Sequence, residues 1–339
     1  MNMITDLDEP EEENADKTPD SMPDKETDLT AESSQEDDEE TEIVIPETTP
    51  LTKNPFLDVG GIEPAKTRPI ISKVTEPLLD DEPHMRVAKR CHVGARRDRN
   101  EDSSLTLVSE IGGHFAVLPF GLYIVADGMG GHSDGHVASK IASRTAAAHI
   151  INHIYLPLLQ ADDKGFKTPI QEVLEQAVQK ANRAVFEHDP EMDSGTTLTV
   201  ALVLGRRLHV AHVGDSRLYL WSNGKFDPIT NDHSLVQRLQ DVGQLTAEEA
   251  TFYRYGHILL RAVGQADEVE VDTYMRLLPK SGKLLMCSDG LSGFVSEGEI
   301  RDILEREISL EEMADALFRA AMDAGGFDNI TAVLVDFDL

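Results

Sequence analysis

The sequence predicts an α+β fold: a sandwich of antiparallel β-sheets flanked by α-helices, behind a disordered acidic extension. Three observations predict it. Strand-like apolar runs cluster in the middle of the chain instead of alternating one for one with helices. Helical periodicity comes in pairs between those groups. A break in composition near residue 84 separates an acidic leader from a stretch with globular patterning.

The leader, 1–84, is rich in Glu, Asp, Thr, Pro and Ser, and buries too little apolar surface to offset its ordering entropy. Residues 1–82 hold 25 acidic against 6 basic residues, about −19 of the total charge of −31. The apolar islands Glu42–Leu51 and Asn54–Leu57 read as solvated linker or as a docking segment around Thr48 and Thr49. From Met85 to Leu339 the strand-like runs are Lys89–Val93, Leu105–Ser109, Gly121–Ala126, Thr196–Leu204, Leu208–Val213, Arg217–Trp221, Ile258–Leu260, Val269–Met275, Leu284–Ser288 and Ile330–Phe337. Turns are explicit at Gly205-Arg206-Arg207, Gly214-Asp215-Ser216 and Ser222-Asn223-Gly224. Helical periodicity covers Asp134–Leu159, Pro169–His188, Ile300–Glu307 and Leu310–Ala324. The stretch Asn231–Gly264 reads as short helices plus loop, a flap inserted between strands.

Composition excludes several classes. The acidic balance argues against DNA or RNA as a partner, since phosphate backbones need clustered Lys and Arg. With two cysteines, Cys91 and Cys287, no disulfide framework is indicated, and Cys287 in its apolar run reads as a core residue. The start MNMITDLDEPEEE has neither a basic nor an apolar stretch, and no run reaches the ~18 apolar residues of a membrane span. A cytoplasmic protein without a membrane span is expected.

The chemistry-bearing pattern is carboxylates at strand ends. Asp127 closes the apolar run before Gly128, and Asp289 closes another before Gly290. Asp328 opens a third run, and Asn100-Glu101-Asp102 forms a further acidic cluster. A lone Asp-Gly is an ordinary turn. Recurrence in matching contexts points instead to oxygen ligands for a hard cation, Mg²⁺ or Mn²⁺ rather than zinc. Arg97, four residues before Glu101, could hold a phosphate or simply pair with Asp98. Ser194-Gly195-Thr196-Thr197 lacks the lysine and spacing of a P-loop and reads as a strand start. His149 and His153 have zinc-like i, i+4 spacing but no evident third ligand.

Taken in order, these pieces resemble the metal-dependent Ser/Thr protein phosphatases of the type 2C family in their bacterial form. The carriers are Arg97-x-x-Asn100-Glu101-Asp102, Ala126-Asp127-Gly128-Met129-Gly130-Gly131-His132, Ser194 to Thr197, Val213-Gly214-Asp215-Ser216-Arg217, Leu260-x-x-Val263-Gly264, Ser288-Asp289-Gly290-Leu291 and Gly325-Gly326-x-Asp328-Asn329. The resemblance spans Lys89 to Phe337 and implies a four-layer sandwich of two antiparallel sheets with helix pairs outside. It implies a phosphatase domain over 85–339, acting on phosphorylated proteins and opposing a Ser/Thr kinase, as a monomer. It also implies two Mn²⁺ or Mg²⁺ ions, with Asp127 bridging, Asp289 and Asp328 on the first metal, and Glu101 with the Gly128 carbonyl on the second. Arg97 would bind the substrate phosphate and Asp102 would orient a metal-bound water. Asp193 matches the position that, with Asp289, holds a third metal in bacterial members. The implied reaction is direct attack of a dimetal-bound hydroxide on phosphorus. Where eukaryotic members place a histidine proposed as general acid, this chain has Met129, with His132 nearby. A catalytically silent module that only binds phosphoproteins is the competing reading. The full set of carboxylates favours catalysis.

Overall fold

The structure, a computed structural model, describes residues 83–112, 117–130, 134–160, 168–188, 194–250, 253, 255 and 258–339. The expected acidic extension, with Thr48 and Thr49, therefore lies outside the described residues apart from its last two positions. Eleven strands and eight α-helices run through the described part. The strands are β1 (His84–His92), β2 (Asp102–Gly112), β3 (Val117–Gly130), β4 (Ser194–Thr196), β5 (Leu198–Leu204), β6 (Arg207–Val213), β7 (Arg217–Ser222), β8 (Lys225–Pro228), β9 (Asp272–Leu277), β10 (Ser281–Cys287) and β11 (Ile330–Asp338). The helices are α1 (Gly135–Ile150), α2 (Leu156–Leu159), α3 (Ile170–Phe186), α4 (Leu235–Asp241), α5 (Ala247–Ala250), α6 (Asp289–Ser292), α7 (Glu297–Leu304) and α8 (Leu310–Asp323), with a π-helical turn, Ile151–Tyr155, joining α1 to α2.

One sheet has the order β1-β11-β10-β7-β8, the other β2-β3-β5-β6-β9 with β4 beside β3, and their pairings are antiparallel. Central strands are buried on both faces, so period-two alternation here sorts residues between cores rather than between core and water. On β3, Leu122, Ile124 and Ala126 join the layer with α1 and α3, while Tyr123 and Val125 face the opposite sheet. On β11, Val333, Val335 and Phe337 face between the sheets, while Ile330, Ala332 and Leu334 pack with α7 and α8. Three cores thus separate four layers, helix–sheet–sheet–helix, as the sequence led us to expect.

Several elements differ from expectation: the run Thr196–Leu204 is divided into β4 and β5, the helix Asp134–Leu159 into α1, the π-helical turn and α2, and α6 is additional. Ile258–Leu260 is no strand; one bridge, Ser234 to Leu259, is all it contributes. Exposed Ile258 and Leu260 gave the segment an apolar look without a core to face. β8 was missed because Lys225-Phe226-Asp227-Pro228 is mostly polar, an edge strand carried by the Asn223-Gly224 hairpin turn. α8 has the capping box that its sequence encodes, with Ser309 as N-cap and Glu312 reaching back. Cys287 is buried facing α7 and α8, and burial pushes its thiol up to about 12, so it is inert.

Candidate metal and phosphate site

The two sheets bring their acidic strand ends to one mouth. Glu101 and Asp102 stand where β2 begins, and Asp102 is paired across the ladder with Asp127 on β3. Antiparallel neighbours of this kind lie about 5 Å apart at Cα. From the other sheet, Asp289 follows β10 and Asp328 precedes β11, strands that pair directly. Asp215 lies in the turn from β6 to β7, where the chain crosses between the sheets.

The backbone at Asp127 and Glu101 is pinned. Asp127 N–H donates to Thr197 Oγ1 at 2.8 Å, while Thr197 N–H and Thr196 Oγ1–H donate to the Asp127 carbonyl at 2.8 and 2.9 Å. The Ser194–Thr197 stretch is therefore a clamp on Asp127. Gly128 N–H donates to the Glu101 carbonyl at 3.2 Å, and Ser139 Oγ–H from α1 donates to the same oxygen at 2.6 Å. Buried Asn329 accepts from Glu101 N–H at 2.7 Å and donates to the carbonyls of Val93 and Arg99, both at 2.9 Å. Gly290 has to be glycine, because a Cβ there would run into the Asn329 carbonyl.

The electrostatics are those of crowded carboxylates. Burial, with the charges of Asp289 and Asp328, raises Asp102 to about 7, against the lowering effect of hydrogen bonds from Thr331 and Ser288. The Ser288 hydroxyl donates to Asp102 Oδ2 at 2.8 Å. Burial raises Asp127 well above the usual carboxylate range, and the charges of Asp102, Asp289, Asp215 and Asp328 add to it. Asp289 is raised by burial and by Asp328, and lies within hydrogen-bonding reach of Asp127. Asp215 rises to about 8, again through burial first and then Asp289 and Asp232. Oδ1 of Asp102 and Oδ1 of Asp289 are buried without a partner. Clustered acids with orphaned oxygens fit a hard divalent cation, which would neutralise the repulsion and complete those oxygens. Among the described residues the side chains do not close into a ready-formed cage of three or more ligands.

Arg97 does not pair with Asp98 as the plain reading of the sequence allowed; its Nη2 meets Asp328 Oδ2 at 2.7 Å. The structure thus gathers Arg97, Glu101, Asp102, Asp127, Gly128, Asp289 and Asp328, whereas Asp193 and His132 lie outside the described residues. Asp215 and the bidentate Arg217–Asp232 pair, at 2.7 to 3.1 Å, were given no role by sequence reasoning. Asp215 and Arg217 stood in a turn already counted among the motifs of the resemblance, whereas nothing in the sequence marked Asp232. His149 and His153 stack at 4.0 Å with no third metal ligand among the described residues, and burial lowers His149 to about 4.

Comparison with known proteins bears on the family and the fold. The sequence profile described as protein phosphatase 2C matches residues 112–335. The serine/threonine phosphatase stp of Listeria welshimeri is 40% identical over 221 residues, covering 64% of this chain and 85% of that protein. Protein phosphatase PhpP of Streptococcus pneumoniae is 32% identical over 257 residues, covering 75% and 98%. The crystal structure of the Mycobacterium tuberculosis serine/threonine phosphatase PstP/Ppp superposes with a TM-score of 0.62 at 36% identity, over 75% of this chain and 99% of that one. A crystal structure of the PstP catalytic domain in complex with two manganese ions gives a TM-score of 0.60 at 36% identity, over 75% and 99%. On its profile match and these relatives, the chain belongs to the protein phosphatase 2C family of serine/threonine phosphatases.

Proposed function

We propose that residues 85–339 form a metal-dependent phosphatase domain that hydrolyses phosphoserine and phosphothreonine in proteins and opposes a Ser/Thr kinase, with the acidic 1–84 segment as its extension. The observation that carries this reading is the meeting of acidic strand ends from both sheets, with orphaned carboxylate oxygens, beside Arg97. Asp127, Asp289, Asp328, Glu101 and the Gly128 carbonyl would hold two Mn²⁺ or Mg²⁺ ions, and Asp193 with Asp289 a third. Bound divalent cations supply Lewis acidity and an activated water. Arg97 has five N–H donors in a rigid fork, and its contact with Asp328 uses part of that set. The remaining donors would bind phosphoryl oxygens and orient the phosphorus for in-line attack. Asp102, steadied by Ser288 at Oδ2, keeps Oδ1 to accept a hydrogen bond from the attacking water. A phospho-enzyme intermediate has no place in this scheme, which agrees with the inert Cys287 thiol. We further read the protein as a cytoplasmic monomer; among the described residues no helix is long and apolar enough to cross a membrane.

The test is hydrolysis of a phosphothreonine peptide with Mn²⁺, with EDTA, and by Asp289→Asn. Turnover that needs metal and falls at least about 100-fold in the variant is expected, the scale of losing a central electrostatic group. Tight metal and phosphopeptide binding by the wild type without turnover would instead establish a binding module.

A further inference from the structure

Beside the site, the chain that leaves β1 and the chain that leads into β11 stay in contact beyond the ends of the ladder. Ala95 N–H donates to the Gly326 carbonyl at 2.8 Å, the Arg96 guanidinium lies 5.8 Å from the Phe327 ring centroid, and Arg97 pairs with Asp328 at 2.7 Å. The Arg97–Asp328 contact is at the proposed phosphate and metal position, and the Arg96–Phe327 contact is a cation over an aromatic face. Phe327 is 49% exposed, and its ring lies 5.5 Å from that of Phe294, 42% exposed, which follows the short helix opened by Asp289. Scattered exposed apolar residues need no explanation. Two aromatic rings in contact, one of them next in sequence to the partner of the arginine assigned to the phosphate, are not scattered.

We propose that the Phe294–Phe327 pair, braced by Arg96, is a subsite that receives an apolar side chain next to the phosphorylated residue of a protein substrate. The inference rests on the phosphatase reading, since it takes Arg97 as the phosphate ligand. Placement fits: Phe327 directly precedes Asp328, the partner of Arg97, and Arg96 directly precedes Arg97, so the ring pair borders the phosphate position. Chemistry fits as well. The exposed surface is aromatic, with the Arg96 guanidinium lying over the Phe327 ring. Residues 83–339 still carry about −12 of the net charge, which disfavours acidic neighbours in the substrate.

The experiment compares phosphothreonine peptides that differ only in the residues flanking the phosphothreonine, which are Leu, Phe, Ser or Glu, together with a blocked phosphothreonine that has no neighbours. The full chain is assayed with Mn²⁺ as wild type, Phe294→Ser, Phe327→Leu and the Phe294→Ser/Phe327→Ser double variant. Wild type is expected to favour Leu or Phe over Ser by about tenfold in kcat/KM, the effect of removing roughly 55 Å² of apolar surface from water at about 25 cal/mol per Å². The double variant brings that ratio to about one, Phe294→Ser lowers it, and Phe327→Leu keeps it. A wild type without preference, a preference for Glu, or a ratio unchanged in the double variant overturns the proposal. If the double variant is too poorly folded to act on the blocked amino acid, the ratio in Phe294→Ser decides. Failure of wild type on every substrate, the blocked one included, removes the phosphatase reading and this subsite with it.

Discussion

At Asn329 a single buried amide braces the loop that carries Arg97 and Glu101. Its three side-chain bonds reach Glu101, Arg99 and Val93, which lie 228, 230 and 236 residues earlier in the chain. In Asn329→Ala, one backbone donor and two backbone carbonyls lose their partner, and each buried group left unsatisfied costs about 1–3 kcal/mol. The expected result is a loss of roughly 3 kcal/mol in urea unfolding together with weaker Mn²⁺ binding by calorimetry, because Glu101 loses its anchor. Metal affinity equal to wild type would show that the loop holds itself. The acidic residues Asp127 and Asp289 were legible in the sequence, since an apolar run ending in Asp-Gly is a local pattern. The brace was not legible, because what Asn329 holds is backbone, and no side-chain pattern marks which backbone a distant amide will reach.

Strand β3 and helix α1 meet where both are glycine. A Cβ on Gly128 would run into the carbonyl oxygens of Gly135 and Glu101, so the first turn of α1 lies directly on the segment that carries Asp127. Gly128→Ala forces those backbones apart, and overpacking of this kind costs about 1–3 kcal/mol. Expected is a lower urea midpoint and at least a tenfold loss of kcat/KM, since β3 and β2 share the displaced carbonyl. A variant with wild-type kinetics would mean that the contact is not needed for the site. Strand centres at this scale were readable from apolar runs, while strand ends were not. β3 runs on from the expected Ala126 to Gly130 because β4 pairs with it there, and that partner lies more than sixty residues downstream. The flap was foreseen as short helices and loop. Its roots are tied by His233 N–H to the Gly214 carbonyl and Leu260 N–H to the His233 carbonyl, both at 2.7 Å, which only the fold could bring together.

Across the whole molecule, buried groups pull stability in opposite directions as pH changes. In the absence of metal, Asp102 and Asp215 are raised to about 7 and about 8, whereas unfolded carboxylates ionise near 3.9. The folded chain then holds protons that the unfolded chain has released. That stabilisation is complete below about pH 4 and is lost as pH rises through 7 and 8. Buried neutral histidines act the other way. His212, lowered to about 3 by burial and by His233, adds stability as pH climbs from 3 to about 6.5 and adds nothing further above it. Of these groups the carboxylates are the ones that titrate between pH 6.5 and 8.5, so the Tm of the EDTA-treated protein is expected to fall by several degrees across that window. Saturating Mn²⁺ favours the ionised carboxylates and should flatten the slope while raising the whole curve. Asp289→Asn removes one repelling charge and should raise the metal-free Tm at pH 8 while weakening the response to Mn²⁺. A metal-free Tm that is level from pH 6.5 to 8.5 would contradict the crowding of charge at this mouth, and with it the argument that the fold concentrates repulsion there for a cation to relieve.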